Sequence, residues 1–238
     1  MRLDRFLSDM GLATRTESAK AVRAGQVTVN GVRPKTASIH IDPDKDAVTY
    51  QGRSVVYRQF TYLMLNKPDG YLSATEDRNT PTVLDLLPPE LRRLELFPCG
   101  RLDKNTLGFL LLTNDGDLAH KLLSPRYHVE KTYRYDCAEP LSEADAAALE
   151  GGVDIGDCVT KPARVVRLSD CTGTITVTEG KFHQIKRMFE AVGNKIVGLE
   201  RVSFGGIPLD ESLERGEFRP LTDEEESHLR RAAGEQIP

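Results

Sequence analysis

The chain has 238 residues, 29% of them charged and 39% hydrophobic, which suffices for one large domain or for a large one with a small companion. No apolar run approaches the ~20 residues that span a bilayer, and Met1-Arg2-Leu3-Asp4-Arg5 leads into no apolar stretch of a secretory signal, so a cytoplasmic protein without a membrane partner is expected. The net charge of −4 divides unevenly, with 10 Lys and Arg against 6 Asp and Glu in residues 1–60 and 22 against 30 in the rest, as in a basic binding module joined to a larger body.

Leu3, Phe6, Leu7 and Met10 fall at i, i+3, i+4 and i+7, the stripe of a short amphipathic helix that Gly11 stops. Thr14-Arg15-Thr16-Glu17 reads as a capping box that opens a second helix ending near Gly25. Val27 and Val29 alternate with polar neighbours ahead of Asn30-Gly31, a tight-turn signal. Two helices and short strands thus make a unit of residues 1–50. Arg2 and Arg5 lie on its first helix, Arg15 opens the second, and Lys20 and Arg23 follow along it. Residues 1–36 hold seven bases against three acids, so these five side chains are candidate binding contacts rather than a merely solvated face. The run Arg2-Leu3-Asp4-Arg5-Phe6-Leu7, then Gly11, Arg15 and Ala19, then Gly25-Gln26-Val27-Thr28-Val29-Asn30-Gly31, resembles the alpha-L RNA-binding domain. In that family the helices offer basic residues to phosphates, which gives affinity with little sequence information.

Residues 51–60 read as a linker with an edge strand. Beyond it, in residues 61–238, strands are expected at 61–66, 108–113, 129–136, 163–168, 174–178 and 196–204. Helices are expected at 80–87, 117–123, 142–150, 184–192 and 222–231. Thr80-Pro81 supplies a cap followed by proline at the first helical position, and Ser142-x-x-Asp145 and Thr222-x-x-Glu225 open two further helices. Strands outnumber helices without alternating strictly, so the fold class is α+β with a mainly antiparallel mixed sheet.

Several chemistries are missing from the chain. It has no phosphate-binding loop, no Gly-x-Gly-x-x-Gly and no serine nucleophile elbow. Cys99, Cys137, Cys158 and Cys171 stand 38, 21 and 13 positions apart and form no Cys-x-x-Cys, and the five histidines make no pair at helical spacing. No metal site is expected, and the cysteines read as buried reduced thiols.

The distinctive stretch is Gly100-Arg101-Leu102-Asp103-Lys104-Asn105-Thr106-Leu107-Gly108 ahead of the apolar run Phe109–Leu112. A carboxylate in a glycine-bounded turn has a plain structural use in local hydrogen bonds. A guanidinium two positions away also suits an ionised nucleophile or base. Gly100-Arg101-Leu102-Asp103 with Thr106, Gly108, Leu111-Leu112-Thr113 and Asp115-Gly116 resembles the catalytic-aspartate motif of the RNA pseudouridine synthases. Met64-Leu65-Asn66-Lys67-Pro68 with Gly70-Tyr71, Glu130-Lys131-Thr132-Tyr133, and Gly180-Lys181-Phe182-His183-Gln184-Ile185-Lys186-Arg187-Met188-Phe189 match its other motifs in the family order. Leu107 departs from the polar or acidic residue common there. The resemblance covers nearly the whole chain and identifies the branch that modifies ribosomal RNA and carries an amino-terminal alpha-L domain.

That resemblance implies isomerisation of uridine to pseudouridine with no cofactor and no metal, with Asp103 as the essential carboxylate. It implies Lys186 or Arg187 as the ion-pair partner of Asp103, with Lys186 favoured by its place after Gln-Ile. Tyr133 is the implied active-site tyrosine, stacking on uracil and relaying the proton lost from carbon 5. Ile185 would pack against the base, and Arg101 would brace the gap left by the flipped nucleotide. His183 and Gln184 would stand behind these. Whether Asp103 adds to the anomeric carbon or removes a sugar proton stays open.

Leu123-Ser124-Pro125-Arg126-Tyr127-His128-Val129-Glu130-Lys131-Thr132-Tyr133 resembles the small-subunit (16S) rRNA branch, whereas large-subunit relatives commonly show His-Pro before the Glu-Lys. Residues 210–238 carry nine acids against four bases, which offers no second grip on phosphate. The expected partner is therefore ribosomal RNA of the small subunit, in free or assembling form, with the chain acting as a monomer. The alternatives are a large-subunit enzyme, a non-catalytic assembly factor and a hydrolase of small nucleosides.

Overall fold

A computed structural model describes residues 1–235. The chain divides into two compact units, one made of Met1–Thr61 with Leu87–Leu96 and the other of Tyr62–Leu86 with the residues from Phe97 onward. No helix among the described residues is long and apolar enough to cross a membrane.

The first unit holds helices α1 (Leu3–Asp9), α2 (Arg15–Arg23) and α3 (Pro89–Arg92), and a small antiparallel sheet of β1 (Val27–Val29), β2 (Val48–Tyr50) and β3 (Arg53–Val55). The capping box forms as read: Thr14 Oγ1 accepts from the Glu17 amide at 3.2 Å, and Glu17 Oε2 accepts from the Thr14 amide at 2.8 Å. Leu3, Phe6 and Leu7 bury their stripe against Ala21, Val22, Val27 and Val48. Asn30 and Gly31 take positive φ of 52° and 78° in the tight turn. Only Val29 and Val32 bridge across that turn, because Pro34 lacks the donor that a longer hairpin needs. β1 pairs instead with β2, and β3 adds an edge strand within the stretch read as a linker.

The second unit is built on a sheet with strand order β12-β4-β6-β10-β7-β9-β8. Its strands are β4 (Tyr62–Lys67), β5 (Phe97–Pro98), β6 (Leu107–Thr113), β7 (Lys131–Cys137), β8 (Arg164–Arg167), β9 (Thr172–Val177), β10 (Ile196–Phe204), β11 (Ile207–Pro208) and β12 (Phe218–Pro220). β5 pairs with β6 and β11 with β10. Of all these pairings only β6 with β10 is parallel, which is the mixed, mainly antiparallel sheet expected from the order of the elements. The helices are α4 (Gly116–Leu123), α5 (Glu143–Gly151), α6 (Gln184–Ala191) and α7 (Asp223–Ala232). Ser142 and Thr222 cap α5 and α7 through complete capping boxes.

Phe109–Leu112 are fully buried in β6 between its neighbours. α6 packs Ile185, Met188 and Phe189 onto Tyr135, Ile175 and Leu199 of the sheet. Where β6 meets β10, Gly108 has φ +94°, and a Cβ on it would lie 2.3 Å from the Arg201 carbonyl oxygen. Glycine is therefore required at the start of β6, which fixes the exit of the preceding loop.

The helix expected at 80–87 is shorter, a single 3₁₀ turn at Val83–Leu86. Leu72 and Thr82 pair as an isolated bridge, with Leu72 donating to the Pro81 carbonyl and Val83 to the Leu72 carbonyl, so the would-be first turn is held extended. Cys99 and Cys137 are buried, but Cys158 and Cys171, expected to be buried too, are only half so because both lie in loops at the sheet margin. Burial pushes the Cys99 thiol up to about 12, which leaves it inert.

Candidate active site

Asp103 lies in the loop between β5 and β6, and four sets of bonds hold that loop. Ser73 Oγ donates to the Leu102 carbonyl at 3.0 Å and accepts from the Leu102 amide at 3.1 Å. The Gly70 amide donates to the Lys104 carbonyl at 3.1 Å, and the Thr106 amide closes back on the Asp103 carbonyl at 3.0 Å. Lys67, at the end of β4 and fully buried, donates through Nζ to the carbonyls of Pro68 (3.0 Å), Lys104 (2.9 Å) and Thr106 (3.0 Å). Burial pulls its ammonium down to about 8, still above neutrality, so three protons remain to serve three carbonyls.

Lys67→Met removes those three donors and leaves buried carbonyls unsatisfied, at roughly 1–3 kcal/mol each before relaxation. The variant should melt several degrees lower and turn over more slowly, as calorimetry and single-turnover rates on RNA will show. A wild-type rate would mean that the loop does not depend on this lysine.

The Asp103 side chain faces α6. Its Oδ2 accepts from Lys186 Nζ at 2.6 Å, and Lys186 also donates to Asn105 Oδ1 at 2.8 Å. His183 Nε2 stands 3.5 Å from Oδ1. Between the two basic candidates the geometry is decisive. Arg187 turns away from Asp103, giving Nη2 to Asp157 Oδ1 and to the Ile155 carbonyl, and this guanidinium holds the Asp157 carboxyl below the usual range. The buried stripe of Ile185, Met188 and Phe189 fixes the rotation of α6, and successive residues point about 100° apart, so one basic side chain alone can reach the carboxylate.

Tyr133 sits half-buried on β7, opposite Ile175 on β9 and Arg201 on β10, and Arg201 in turn lies opposite Gly108 on β6. The parallel β6–β10 pair thereby places the tyrosine two strands over from the strand that Asp103 leads into. Ile185 is committed to the core cluster beside Tyr133, at 5% exposure. Arg101 is exposed at the head of the loop. Gln184 is buried and donates through Nε2 to Glu179 Oε1 at 2.9 Å, whereas His183 stands beside Asp103.

In the first unit Arg2 is exposed and clasps Asp4 at 3.0 and 2.6 Å, Arg5 stands 3.5 Å from Asp9, and Arg2, Arg5 and Arg15 line one open hollow with His40. Lys20 and Arg23 are exposed on α2. Among the described residues no group of three or more His, Cys, Asp or Glu side chains is placed to hold a metal ion.

Residues 61–191 match the RNA pseudouridylate synthase family, and residues 1–46 match the S4 domain. An RNA pseudouridine synthase of Bacillus subtilis (strain 168) is 52% identical over 96% of this chain and 98% of its own. The ribosomal small subunit pseudouridine synthase A of Escherichia coli (strain K12) is 40% identical over 94% of this chain and 98% of its own. A crystal structure of a pseudouridylate synthase superposes with a TM-score of 0.68 at 39% identity, covering 96% of this chain and 99% of that one. With the synthase family model matched over residues 61–191, the S4 domain over residues 1–46, and relatives alike over nearly the full length of both chains, the chain belongs to the RNA pseudouridylate synthase family.

Proposed function

We propose that this synthase isomerises one uridine of small-subunit ribosomal RNA, with Asp103 as the reacting carboxylate. The 2.6 Å pair between Asp103 and Lys186 carries the assignment of the site. The full-length likeness to enzymes named for the small ribosomal subunit carries the substrate. The reaction breaks the bond from the anomeric carbon to N1, turns the base, and joins carbon 5 to the anomeric carbon. Carbon 5 loses a proton and N1 gains one, so no electrons leave or enter. Lys186 orients Asp103 through Oδ2, which presents the other carboxylate oxygen to the sugar. There it either adds to the anomeric carbon or takes a sugar proton. Tyr133 stacks on the freed uracil and relays the proton from carbon 5. Arg101, exposed at the head of the loop, braces the RNA where the nucleotide has left its stack.

The first unit supplies the electrostatic grip through Arg2, Arg5, Arg15, Lys20 and Arg23. Four of the nine acids in 210–235 are paired within the chain: Arg219 pairs with Asp210 and Glu225, and Arg230 with Glu226 and Glu235. Residues 236–238 of that stretch lie outside the described residues. Replacing Arg15, Lys20 and Arg23 together by Gln should weaken rRNA binding and flatten its salt dependence by about two in logarithmic slope, read from filter binding over a salt series. An unchanged slope would place the main phosphate contacts elsewhere.

The substrate is tested by offering both ribosomal RNAs, unmodified and in equal amounts, with and without bound ribosomal proteins, and mapping carbodiimide-dependent reverse-transcription stops. One new stop in the small-subunit RNA is expected. A stop confined to the large-subunit RNA would overturn the substrate and leave the reaction class standing.

A further inference from the structure

Among the described residues every Phe and Tyr except one is buried or half-buried. The exception is Phe182, 74% exposed, and it stands at the synthase site. Its ring stacks on His183 with centroids 3.8 Å apart and planes 20° from parallel, while His183 Nε2 reaches to 3.5 Å from Asp103 Oδ1. The two rings form a stack that begins beside the Asp103 carboxylate and ends with the Phe182 ring in solvent.

The backbone beneath the stack is tied on both sides. His183 takes a left-handed backbone conformation, φ 50° and ψ 31°, ahead of α6, and its side chain makes no capping bond. On one side of the pair, the Lys181 amide donates to Gln184 Oε1 at 2.9 Å and Gln184 is anchored on Glu179. On the other, Arg187 Nη1 donates to the Phe182 carbonyl at 3.2 Å. A left-handed histidine costs conformational energy, and here the conformation turns the imidazole toward Asp103 and the phenyl ring outward. Lys181, Lys186 and Arg187 share the segment, each paired with an acid (Glu179, Asp103 and Asp157), so at the edge of a site that takes RNA the group left open to the substrate is the aromatic ring itself.

We propose that Phe182 and His183 form a stacking platform for a nucleobase of the RNA substrate adjacent to the target uridine. Flipping the uridine to Asp103 strips its strand neighbour of one stacking partner. An aromatic ring beside the pocket replaces that partner without regard to base identity. The platform rests on the synthase reading of Asp103. It extends that reading from the flipped uridine to the nucleotide beside it.

The test uses the full chain in single-turnover reactions on an unmodified rRNA fragment containing the target uridine. Phe182→Ala and Phe182→Leu should raise the half-saturating concentration about fivefold or more with the maximal rate little changed, whereas Phe182→Tyr should restore wild-type binding. Fragments with an abasic site at each position flanking the target, taken in turn, locate the base. One such position should weaken the wild type as the Ala variant does, and should add nothing in that variant. Unaltered binding by Phe182→Ala, Leu serving as well as Tyr, or additive losses at every abasic position would overturn the platform alone. A wild-type protein that forms no pseudouridine in any ribosomal RNA would overturn the synthase reading, and the platform with it.

Discussion

Asp103→Asn should cut turnover by on the order of 10⁴-fold or more while RNA affinity stays within a few-fold of wild type. The substitution keeps the size of the side chain and an oxygen that can still accept from Lys186 Nζ, so the loop ties to Ser73, Gly70 and Lys67 are untouched. What it removes is the anionic oxygen proposed to react with the sugar. Single-turnover rates and filter binding, measured on the same RNA, separate the two quantities. A rate within tenfold of wild type would remove Asp103 from the chemistry and leave its loop as a structural turn.

Lys186→Met should lower the single-turnover rate by roughly a hundredfold, because an unanchored carboxylate samples positions that miss the sugar. Two bonds disappear with the ammonium, one to Asp103 Oδ2 and one to Asn105 Oδ1, so the loop loses its orientation toward α6 from both residues. Lys186→Arg restores a cation with a longer, forked head and should recover part of the rate. Arg187→Met should cost far less in rate, since that side chain is spent on Asp157 and the Ile155 carbonyl. The reverse order of effects would assign the ion pair to the wrong residue.

Much of this was legible in the sequence because the signals are local. Thr14, Ser142 and Thr222 announce helix starts through a partner three residues on, and the capping boxes form at all three. The long strands of the second unit follow from unbroken apolar or alternating runs. Elements of two or three residues, β5, β11 and β12, carry no period to read, and they exist because a neighbouring strand offers free backbone groups. The Pro88-Pro89 pair marks a break near the 3₁₀ turn, but the bridge to Leu72 that shortens the helix is non-local.

The site follows the same division. Asp103 and the two basic residues of α6 stand in recognisable motifs, but choosing Lys186 over Arg187 requires the rotation of the helix against the core. Lys67 sits between an apolar strand and a proline, where nothing signals that its ammonium reaches carbonyls at positions 104 and 106. The alternation of β7 put Tyr133 on the face shared with Tyr135, and both contact the apolar cluster under α6. His183 was read as standing behind the site, and its left-handed backbone, invisible in a histidine code letter, brings it to the carboxylate.

Joining carbon 5 of the base to the sugar must expel the hydrogen that carbon 5 carried, whatever path the carboxylate takes. Small-subunit ribosomal RNA labelled with [5-³H]uridine therefore reports the central claim directly. Wild-type protein should release tritium to water up to the amount held by a single uridine per RNA, and Asp103→Asn should release none. Tritium released equally by the Asp103→Asn protein, or by wild type from large-subunit RNA only, would contradict the account.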